Sequence, residues 1–212
     1  MKISKEAMRL YAVTDRMWVG DNSLVEQVEQ CIKGGVTFVQ VREKDISFEE
    51  YVALGKEIKK VTDKYNIPYV INDDVEVAIA CRADGVHVGQ HDMQAGDVRE
   101  KIGADMILGV SAQTVEQALL AEKSGADYIG VGAVFSTSTK TDADEVSYET
   151  LKAICNAVSV PVVAIGGISK HNIMKLKGSG ADGVAVVSAI FAQSDIFEAT
   201  RELRALTDEM GK

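Results

Sequence analysis

Short apolar runs alternate with longer amphipathic stretches along the whole chain. The apolar runs have the length that is typical of buried strands. The amphipathic stretches carry apolar residues three and four positions apart, as on one face of a helix. No linker rich in proline, glycine or serine interrupts the alternation. This pattern predicts parallel strands that are joined by helices.

Eight segments have the strand pattern. They are LYAVTD from position 10, FVQVRE from 38, YVIND from 69, GVHVGQ from 85, MILGVSA from 106, YIGVGAVF from 128, PVVAIGGI from 161 and GVAVVSAI from 183. Between them lie helix-like segments such as SLVEQVEQCIKGG, SFEEYVALGKEIKKVTDKYN, TVEQALLAEKSG and SYETLKAICNAV, and DIFEATRELRALTDEM closes the chain as a helix.

A weak internal repeat supports this count. The segments ADGVHV at 83, ADMILG at 104, ADYIGV at 126 and ADGVAV at 181 each lead into a predicted strand, and a repeated helix-to-strand joint indicates repeated βα units. Eight such units predict a (β/α)8 barrel, usually of roughly 250 residues, here as a single domain over residues 1–212. A doubly wound open sheet is the alternative, but it needs a reversal that the even pattern does not suggest.

Composition and charge narrow the classes of partner. The chain has 212 residues, 46% of them hydrophobic, which is enough for a substantial core. Its formal charge of −9 disfavours nucleic acid and anionic membranes, so an anionic ligand needs a local cluster of positive groups. The charged amino terminus does not resemble a signal peptide, and no apolar run has the length of a bilayer span. We therefore expect a cytoplasmic protein.

The cysteines and histidines show no spacing typical of metal or redox motifs. The cysteines lie in predicted helices and are expected to be buried free thiols: Cys31, Cys81 and Cys155. The histidines are expected to be solvated or hydrogen-bonded rather than catalytic: His87, His91 and His171.

The segment TFVQVREKD, residues 37–45, places polar side chains at every second position of a strand. Because side chains alternate between the two faces, Gln40, Arg42 and Lys44 are expected on one side. An edge strand with one solvated face is the simpler interpretation. The alternative is a strand whose polar end enters an anionic ligand site.

Polar residues follow other predicted strands as well, at the end where barrels of this class carry their chemistry. They are Asn72, Asp73 and Asp74 after strand three, Asp92 after four, Ser111 on five, Thr137, Ser138, Thr139 and Lys140 after six, Gly166 and Gly167 after seven, and Val187 and Ser188 after eight. Each has a simpler explanation: an aspartate here can cap a helix, and a glycine pair can form a turn. Their accumulation at one end favours a ligand site.

The residue types divide this site into two parts. Arg42, Lys44 and Lys140 supply positive charge, and Asp73 with Asp92 supplies oxygen ligands of the kind that Mg2+ binds while keeping waters and phosphate oxygens. We therefore expect a pyrophosphate group there. Glycines after strand seven and the turn after strand eight allow backbone N–H groups to approach a second phosphate.

Taken together, LYAVTD, VQVREKD, VINDDVEVA, ADGVHVGQHD, GVSAQTVEQA, GADYIGVGAVFSTSTKTDA, VAIGGI and GVAVVSAI closely resemble the thiamine phosphate synthase family over nearly the whole chain. The resemblance implies an Mg2+-dependent barrel that joins a hydroxymethylpyrimidine diphosphate to a thiazole phosphate and releases pyrophosphate. One departure is Ser136, where the family often has proline.

The resemblance also implies roles for individual residues. It places Gln40, Val41, Arg42, Glu43, Lys44, Asn72, Ser111 and Lys140 around the pyrimidine diphosphate, with Arg42, Lys44, Lys140 and Ser111 as catalytic residues. It places Mg2+ on Asp73 and Asp92, and the thiazole phosphate on Thr137, Ser138, Thr139, Gly167, Val187 and Ser188.

Two other functions stay open. A thiazole tautomerase of the sister family shares the barrel but needs no pyrophosphate or metal site. A non-catalytic barrel that senses a phosphate ligand is expected to lack Lys140 or the metal carboxylates, and this chain has them. The expected partners are small phosphorylated substrates, and a homo-oligomer is one alternative for the assembly.

Overall fold

Eight parallel strands form a closed barrel in the computed structural model, which describes residues 3–20, 23–90, 92–136 and 145–211. The strands are β1 (Leu10–Val13), β2 (Phe38–Val41), β3 (Tyr69–Asn72), β4 (Gly85–Val88), β5 (Ile107–Ala112), β6 (Tyr128–Val131), β7 (Val162–Ile165) and β8 (Gly183–Val186). Each strand pairs in parallel with its neighbours in sequence, and β8 pairs with β1. The (β/α)8 prediction is confirmed, and the open-sheet alternative is wrong.

Helices follow most of the strands and surround the barrel. They are α1 (Leu24–Gly34), α2 (Phe48–Tyr65), α3 (Val75–Cys81), α4 (Ala95–Ile102), α5 (Val115–Lys123), α6 (Tyr148–Ala157), α7 (Ser188–Phe191) and α8 (Ile196–Met210). Short 3-10 helices occupy Glu6–Met8, Arg16–Trp18 and Ile173–Leu176, and the last of these links β7 to β8. Across the described ranges, no helix combines the length and the apolar content that a membrane span needs.

Local sequence signals fix where the main helices begin. Ser23 and Ser47 each accept a hydrogen bond from the backbone N–H three residues later, and Glu26 and Glu50 bond back to the serine N–H. These two capping boxes satisfy N–H groups that have no partner within the helix. The predicted helix starts are therefore confirmed at α1 and α2.

The alternation of side chains along each strand creates two cores. Outward-facing residues such as Val39 and Ile71 pack with the apolar faces of the helices. A smaller cluster fills the barrel itself, where the rings of Tyr11, Phe38 and Tyr128 meet edge to face with centroids 4.6 to 5.9 Å apart. Aromatic rings in this arrangement are held more firmly than area burial alone implies. The barrel interior is thus a packed core below the ligand end.

The Ala-Asp repeat has a structural role at the amino ends of the strands. A side chain just before each even-numbered strand accepts a hydrogen bond from a backbone N–H near the start of the preceding odd-numbered strand. The four pairs, which we call the strand clips, are Thr37 with Leu10, Asp84 with Tyr69, Asp127 with Leu108 and Asp182 with Val162, all at 2.9 Å. Asp105, the remaining repeat aspartate, precedes the odd-numbered β5 and is exposed.

Each clip aspartate also meets a basic side chain. Asp84 lies 3.4 Å from Lys59, Asp127 lies 2.6 Å from Arg99, and Asp182 lies 2.9 Å from Lys5. These contacts hold the carboxylates in place at the end of the barrel opposite the predicted ligand residues. The repeat therefore serves the fold rather than the site.

The expectation of buried free thiols is confirmed for Cys31 and Cys81, and Cys155 departs from it in burial. Cys31 on α1 and Cys81 on α3 are buried, and Cys155 on α6 is half-buried, all as free thiols. Burial raises the pKa of the Cys155 thiol to about 12, so it stays protonated near neutral pH.

Candidate active site

Gln40, Arg42 and Lys44 lie where β2 ends. The strand stops at Val41, two residues earlier than predicted, because the Arg42 N–H leaves the ladder and donates to Thr14 Oγ1 at 2.9 Å. Gln40 is buried inside the barrel, Arg42 is half-buried and Lys44 is exposed. β2 pairs on both sides, with β1 and β3, so the edge-strand interpretation is wrong.

The two intervening residues have different surroundings. Val41 packs in the core between strands and helices, and its carbonyl accepts a hydrogen bond from Tyr51. Glu43 has a fully buried side chain, 2.7 Å from Arg16 Nε. Their predicted contacts with the pyrimidine diphosphate stay predictions.

Arg42 is oriented by an acidic neighbour. Its Nη1 atom lies 3.6 Å from Asp15 Oδ2, and about a fifth or less of each side chain is exposed. Such a partly buried pair is screened less than a surface pair. The guanidinium is therefore held near the carboxyl ends of β1 and β2 before any ligand binds.

The two aspartates after β3 have separate roles. Asp74 is the N-cap of α3, accepting the Val77 N–H at 2.9 Å, as the simpler interpretation predicts for one of them. Asp73 is exposed and has a left-handed backbone, with φ of 62°, fixed by its N–H bond to the His87 carbonyl at 2.8 Å. The capping role thus falls to Asp74 and leaves the Asp73 side chain at the mouth.

Asp92 lies in the loop after β4, and that loop is held in two ways. Asp92 Oδ2 accepts the Gly89 N–H at 2.7 Å, and Gln90 Nε2 donates to the Ser111 carbonyl at 2.6 Å. Asp73 and Asp92 line one cleft of about 380 Å³. Asp74, Glu76 and Lys101 line it too, with Lys101 ion-paired to Glu76.

The donor set of this cleft fits Mg2+. Among the residues that the structure describes, no group of three or more His, Cys, Asp or Glu is placed to hold a metal ion. A closed cage of the zinc type is therefore not formed by those residues. Asp74 caps α3 and Glu76 pairs with Lys101, which leaves Asp73 and Asp92 as the candidate ligands. Two carboxylates at an open cleft suit an ion that keeps several waters and binds substrate oxygens.

The glycines after β7 support the loop that follows β6. The Val134 and Phe135 N–H groups donate to the Ile165 and Gly166 carbonyls at 2.9 and 3.1 Å. Gly166 and Gly167 have φ values of 103° and 61°, which favour glycine. Thr137, Ser138, Thr139 and Lys140 continue from this loop and lie outside the described residues, as does His91.

Val187 and Ser188 lie where β8 passes into α7. Val187 packs against the barrel-interior cluster, and Ser188 is exposed. The carbonyls of both residues accept hydrogen bonds within the short helix and its end. Both therefore occupy the carboxyl end of the barrel, beside the glycines after β7.

A network of five side chains crosses the barrel below the mouth. We call it the central network, and in spatial order it consists of Gln40, Tyr11, Tyr128, His87 and Ser111. Successive polar atoms are 2.6, 2.7, 2.9 and 2.9 Å apart. Burial raises the pKa of both tyrosine hydroxyls, so both remain protonated at neutral pH. The network joins two predicted ligand residues, Gln40 and Ser111.

Sequence reasoning did not single out the middle of this network. Tyr11 and Tyr128 have the appearance of ordinary aromatic residues on buried strands. His87 is buried and hydrogen-bonded, as expected, but its partner is a predicted site residue. A sequence signal is Gly109, since a small residue on a barrel strand leaves room for a large polar neighbour.

A family model described as thiamine monophosphate synthase matches residues 10–190. The chain belongs to this family. A thiamine-phosphate synthase of Clostridium tetani is 51% identical over 200 residues, covering 94% of this chain and 96% of the relative. Another, of Ruminiclostridium cellulolyticum, is 54% identical over 200 residues, covering 94% and 95%.

A solved structure supports the same assignment. The thiamine phosphate pyrophosphorylase of Pyrococcus furiosus matches with a TM-score of 0.90 and 39% identity, covering 97% of this chain and 98% of that one. The resemblance inferred from the motifs is confirmed, and so is an enzyme of the transferase class acting in thiamine biosynthesis. The names of these relatives favour the synthase over the tautomerase and the sensing barrel.

Proposed function

We propose that the chain joins 4-amino-2-methyl-5-(diphosphooxymethyl)pyrimidine to 4-methyl-5-(2-phosphooxyethyl)thiazole, giving thiamine phosphate and pyrophosphate. The observation that carries this proposal is the cleft that Asp73 and Asp92 share at the mouth of the barrel. A thiazole proton shift does not need two carboxylates placed in this way. A diphosphate-metal complex does.

The departure of pyrophosphate is the step that the site has to assist. The carbon–oxygen bond breaks, the bonding electrons leave with the diphosphate, and the electron-rich aminopyrimidine stabilises the positive CH2 group that remains. Arg42 and Lys44 supply charge that opposes the growing negative charge, and we assign Lys140 the same role. Arg42 needs little reorientation because Asp15 already holds it.

Asp73 and Asp92 are the residues that we propose to hold Mg2+. When bound, the ion supplies charge neutralisation to the diphosphate oxygens. The protein contributes the fixed position of these carboxylates. The left-handed backbone orients Asp73, and the Gly89 N–H holds one oxygen of Asp92.

The second step joins the two rings. The thiazole nitrogen attacks the CH2 carbon with its own lone pair, and it carries no proton that has to be removed. A general base is therefore unnecessary. This agrees with His87, whose ring nitrogens are engaged by Tyr128 and Ser111.

We place the thiazole phosphate on the opposite side of the mouth, near Gly167, Val187 and Ser188, with Thr137, Ser138 and Thr139. One structural feature supports this placement: glycine at 167 brings the backbone close to the loop after β6. Phosphate sites in such barrels commonly occur after strands seven and eight.

Pyrophosphate release by the purified protein tests the proposal. We expect release only when both substrates and Mg2+ are present, and loss of release on adding a chelator, with recovery on restoring Mg2+. Thiamine phosphate is measured in the same samples. No release under complete conditions, or release without the thiazole and without product, would overturn the proposal.

Variants test which residues assist the departure of pyrophosphate. Lys140→Ala is expected to lower turnover far more than it lowers affinity for the thiazole phosphate, because the lysine acts on the leaving group. Lys152→Ala, at an exposed position on α6, is the matched control. Unchanged turnover in Lys140→Ala would contradict its role. The cytoplasmic location, the homo-oligomer and the domain boundary at 1–212 stay predictions.

A further inference from the structure

The central network is unusual for the middle of a barrel. Tyr11 and Tyr128 are 1% and 0% exposed, and they are surrounded by apolar residues such as Phe38 and Val70. A buried hydroxyl destabilises the fold unless it is hydrogen-bonded. Phenylalanine at either position would pack without that requirement. The two tyrosines therefore point to a role that needs their hydroxyl groups.

Strand β5, which pairs with β4 and β6, leaves space for the network. A Cβ atom added to Gly109 would lie 2.3 Å from the Tyr128 hydroxyl and 2.5 Å from His87 Nδ1. Gly130 also borders His87, at 3.2 Å from Cε1. The barrel thus has no side chain at 109, where one would separate Tyr128 from His87.

The network also couples the hydrogen-bond direction at its two ends. The Gln40 amide donates to Tyr11. The arrangement that uses the single hydrogen of each phenol within the network has Tyr11 donating to Tyr128 and Tyr128 donating to His87 Nδ1. His87 consequently carries its proton on Nε2 and donates to Ser111.

These directions determine which hydrogen-bonding group Gln40 and Ser111 each have available for a ligand. Gln40 has its carbonyl oxygen left as an acceptor, and Ser111 has its hydroxyl hydrogen left as a donor. Turning the Gln40 amide around while keeping all four hydrogen bonds requires every bond between the two ends to reverse. In this arrangement Gln40 is fixed as an acceptor and Ser111 as a donor.

We propose that Tyr11, Tyr128 and His87 are positioning residues that set the substrate specificity of Gln40 and Ser111. This inference rests on the proposed function. An aminopyrimidine matches the Gln40 end, because its exocyclic amino group donates to the Gln40 carbonyl oxygen. A pyrimidine diphosphate without the amino group leaves the Gln40 oxygen unpaired, and Gln40 cannot reorient alone.

Tyr128→Phe tests the coupling, because it removes the middle hydroxyl and keeps the ring. The measurement is kcat/KM for the aminopyrimidine diphosphate divided by kcat/KM for the same compound lacking the amino group. We expect this ratio to fall about tenfold in the variant. Gln40 is then able to turn, so the absence of the hydrogen bond from the amino group costs the analogue less binding energy.

Tyr69→Phe is the matched control. Tyr69 is equally buried, but its hydroxyl bonds to the Gly55 carbonyl and lies near Cys81, on the outer side of the strands. Its ratio should equal that of the unmodified protein. If Tyr128→Phe does not fold, Tyr11→Phe breaks the same network at the next bond.

The outcomes separate the two proposals. An unmodified protein that releases no pyrophosphate from the natural pair of substrates overturns the proposed function. An active protein whose ratio is the same in both central-network variants as in Tyr69→Phe overturns only the positioning role, even where overall activity falls.

Discussion

The backbone of Gly167 lies so close to Ser136 that a Cβ atom on Gly167 would be 2.3 Å from the Ser136 carbonyl oxygen. The carbonyl of Phe135 would be 2.8 Å away. The end of β7 and the loop after β6 thus pack closely because residue 167 has no side chain. The loop leads directly into the predicted ligand residues Thr137–Lys140.

Gly167→Ala is expected to displace this loop and lower kcat/KM by at least about tenfold, with a loss of about 1 to 3 kcal/mol in the free energy of unfolding. Gly178→Ala is the control, because Gly178 also has a positive φ, of 82°, but lies in the turn before β8, away from the mouth. Equal kinetic losses in the two variants would contradict a local effect at the loop.

Asp73 and Asp74 should separate activity from stability. Asp74→Ala removes the N-cap of α3 and is expected to lower the free energy of unfolding by about 1 kcal/mol. Asp73→Asn keeps a residue that tolerates the left-handed backbone but removes a metal ligand charge. It is expected to lower Mg2+-dependent turnover at least about tenfold with little change in stability. Denaturant unfolding and turnover at several Mg2+ concentrations measure both effects, and the reverse pattern would show that the roles are exchanged.

Asp127 represents the strand clips. Asp127→Ala removes a partner of both Arg99 and the Leu108 N–H, and only 15% of its side chain is exposed. We expect a loss of about 2 kcal/mol in the free energy of unfolding, because a partly buried cation and an N–H lose their acceptor. Asp105→Ala, at the exposed repeat position, should change stability by less than about 0.5 kcal/mol. A similar loss in both variants, or a selective loss of catalysis in Asp127→Ala, would argue against a purely structural clip.

Glu29 should make stability depend on pH in the acid range. The Lys64 ammonium and the Tyr65 hydroxyl, both 2.8 Å away, lower the pKa of Glu29 from its ordinary 4.5 to about 2. Glu29 therefore binds a proton more readily in the unfolded chain than in the folded chain. Its contribution to the free energy of unfolding is complete above pH 4.5 and is lost as the pH falls toward 2.

Glu29→Gln is expected to flatten the fall in unfolding free energy between about pH 4.5 and 2, as measured by denaturant titrations at each pH. Replacing both donors, in Lys64→Gln with Tyr65→Phe, should flatten it as well. Parallel curves for the unmodified protein and Glu29→Gln would exclude this contribution.

Sequence predicted the barrel because strand alternation is a local property. Every predicted strand begins within one residue of the observed start. Strand ends were less predictable: β2 stops at Val41 because Thr14, distant in sequence, accepts the Arg42 N–H. A contact of that kind leaves no local signal.

The candidate site could be proposed from the sequence where residue chemistry is distinctive. Asp73 and Asp92 could be proposed as a pair because the carboxyl ends of the strands share one rim, and the structure places both in one cleft. The central network could not be predicted, because hydroxyl-to-hydroxyl bonding between Tyr11 and Tyr128 depends on residues 117 positions apart. A tyrosine on a buried strand has the same pattern whether its hydroxyl is structural or directs a ligand.

The strand clips lie at one rim of the barrel, and the proposed chemistry lies at the other. A variant library confined to the loops beyond β2, β3 and β4 would therefore leave all four clips intact. Variants in such a library are therefore expected to keep the stability that the clips contribute, even where their substrate preference changes.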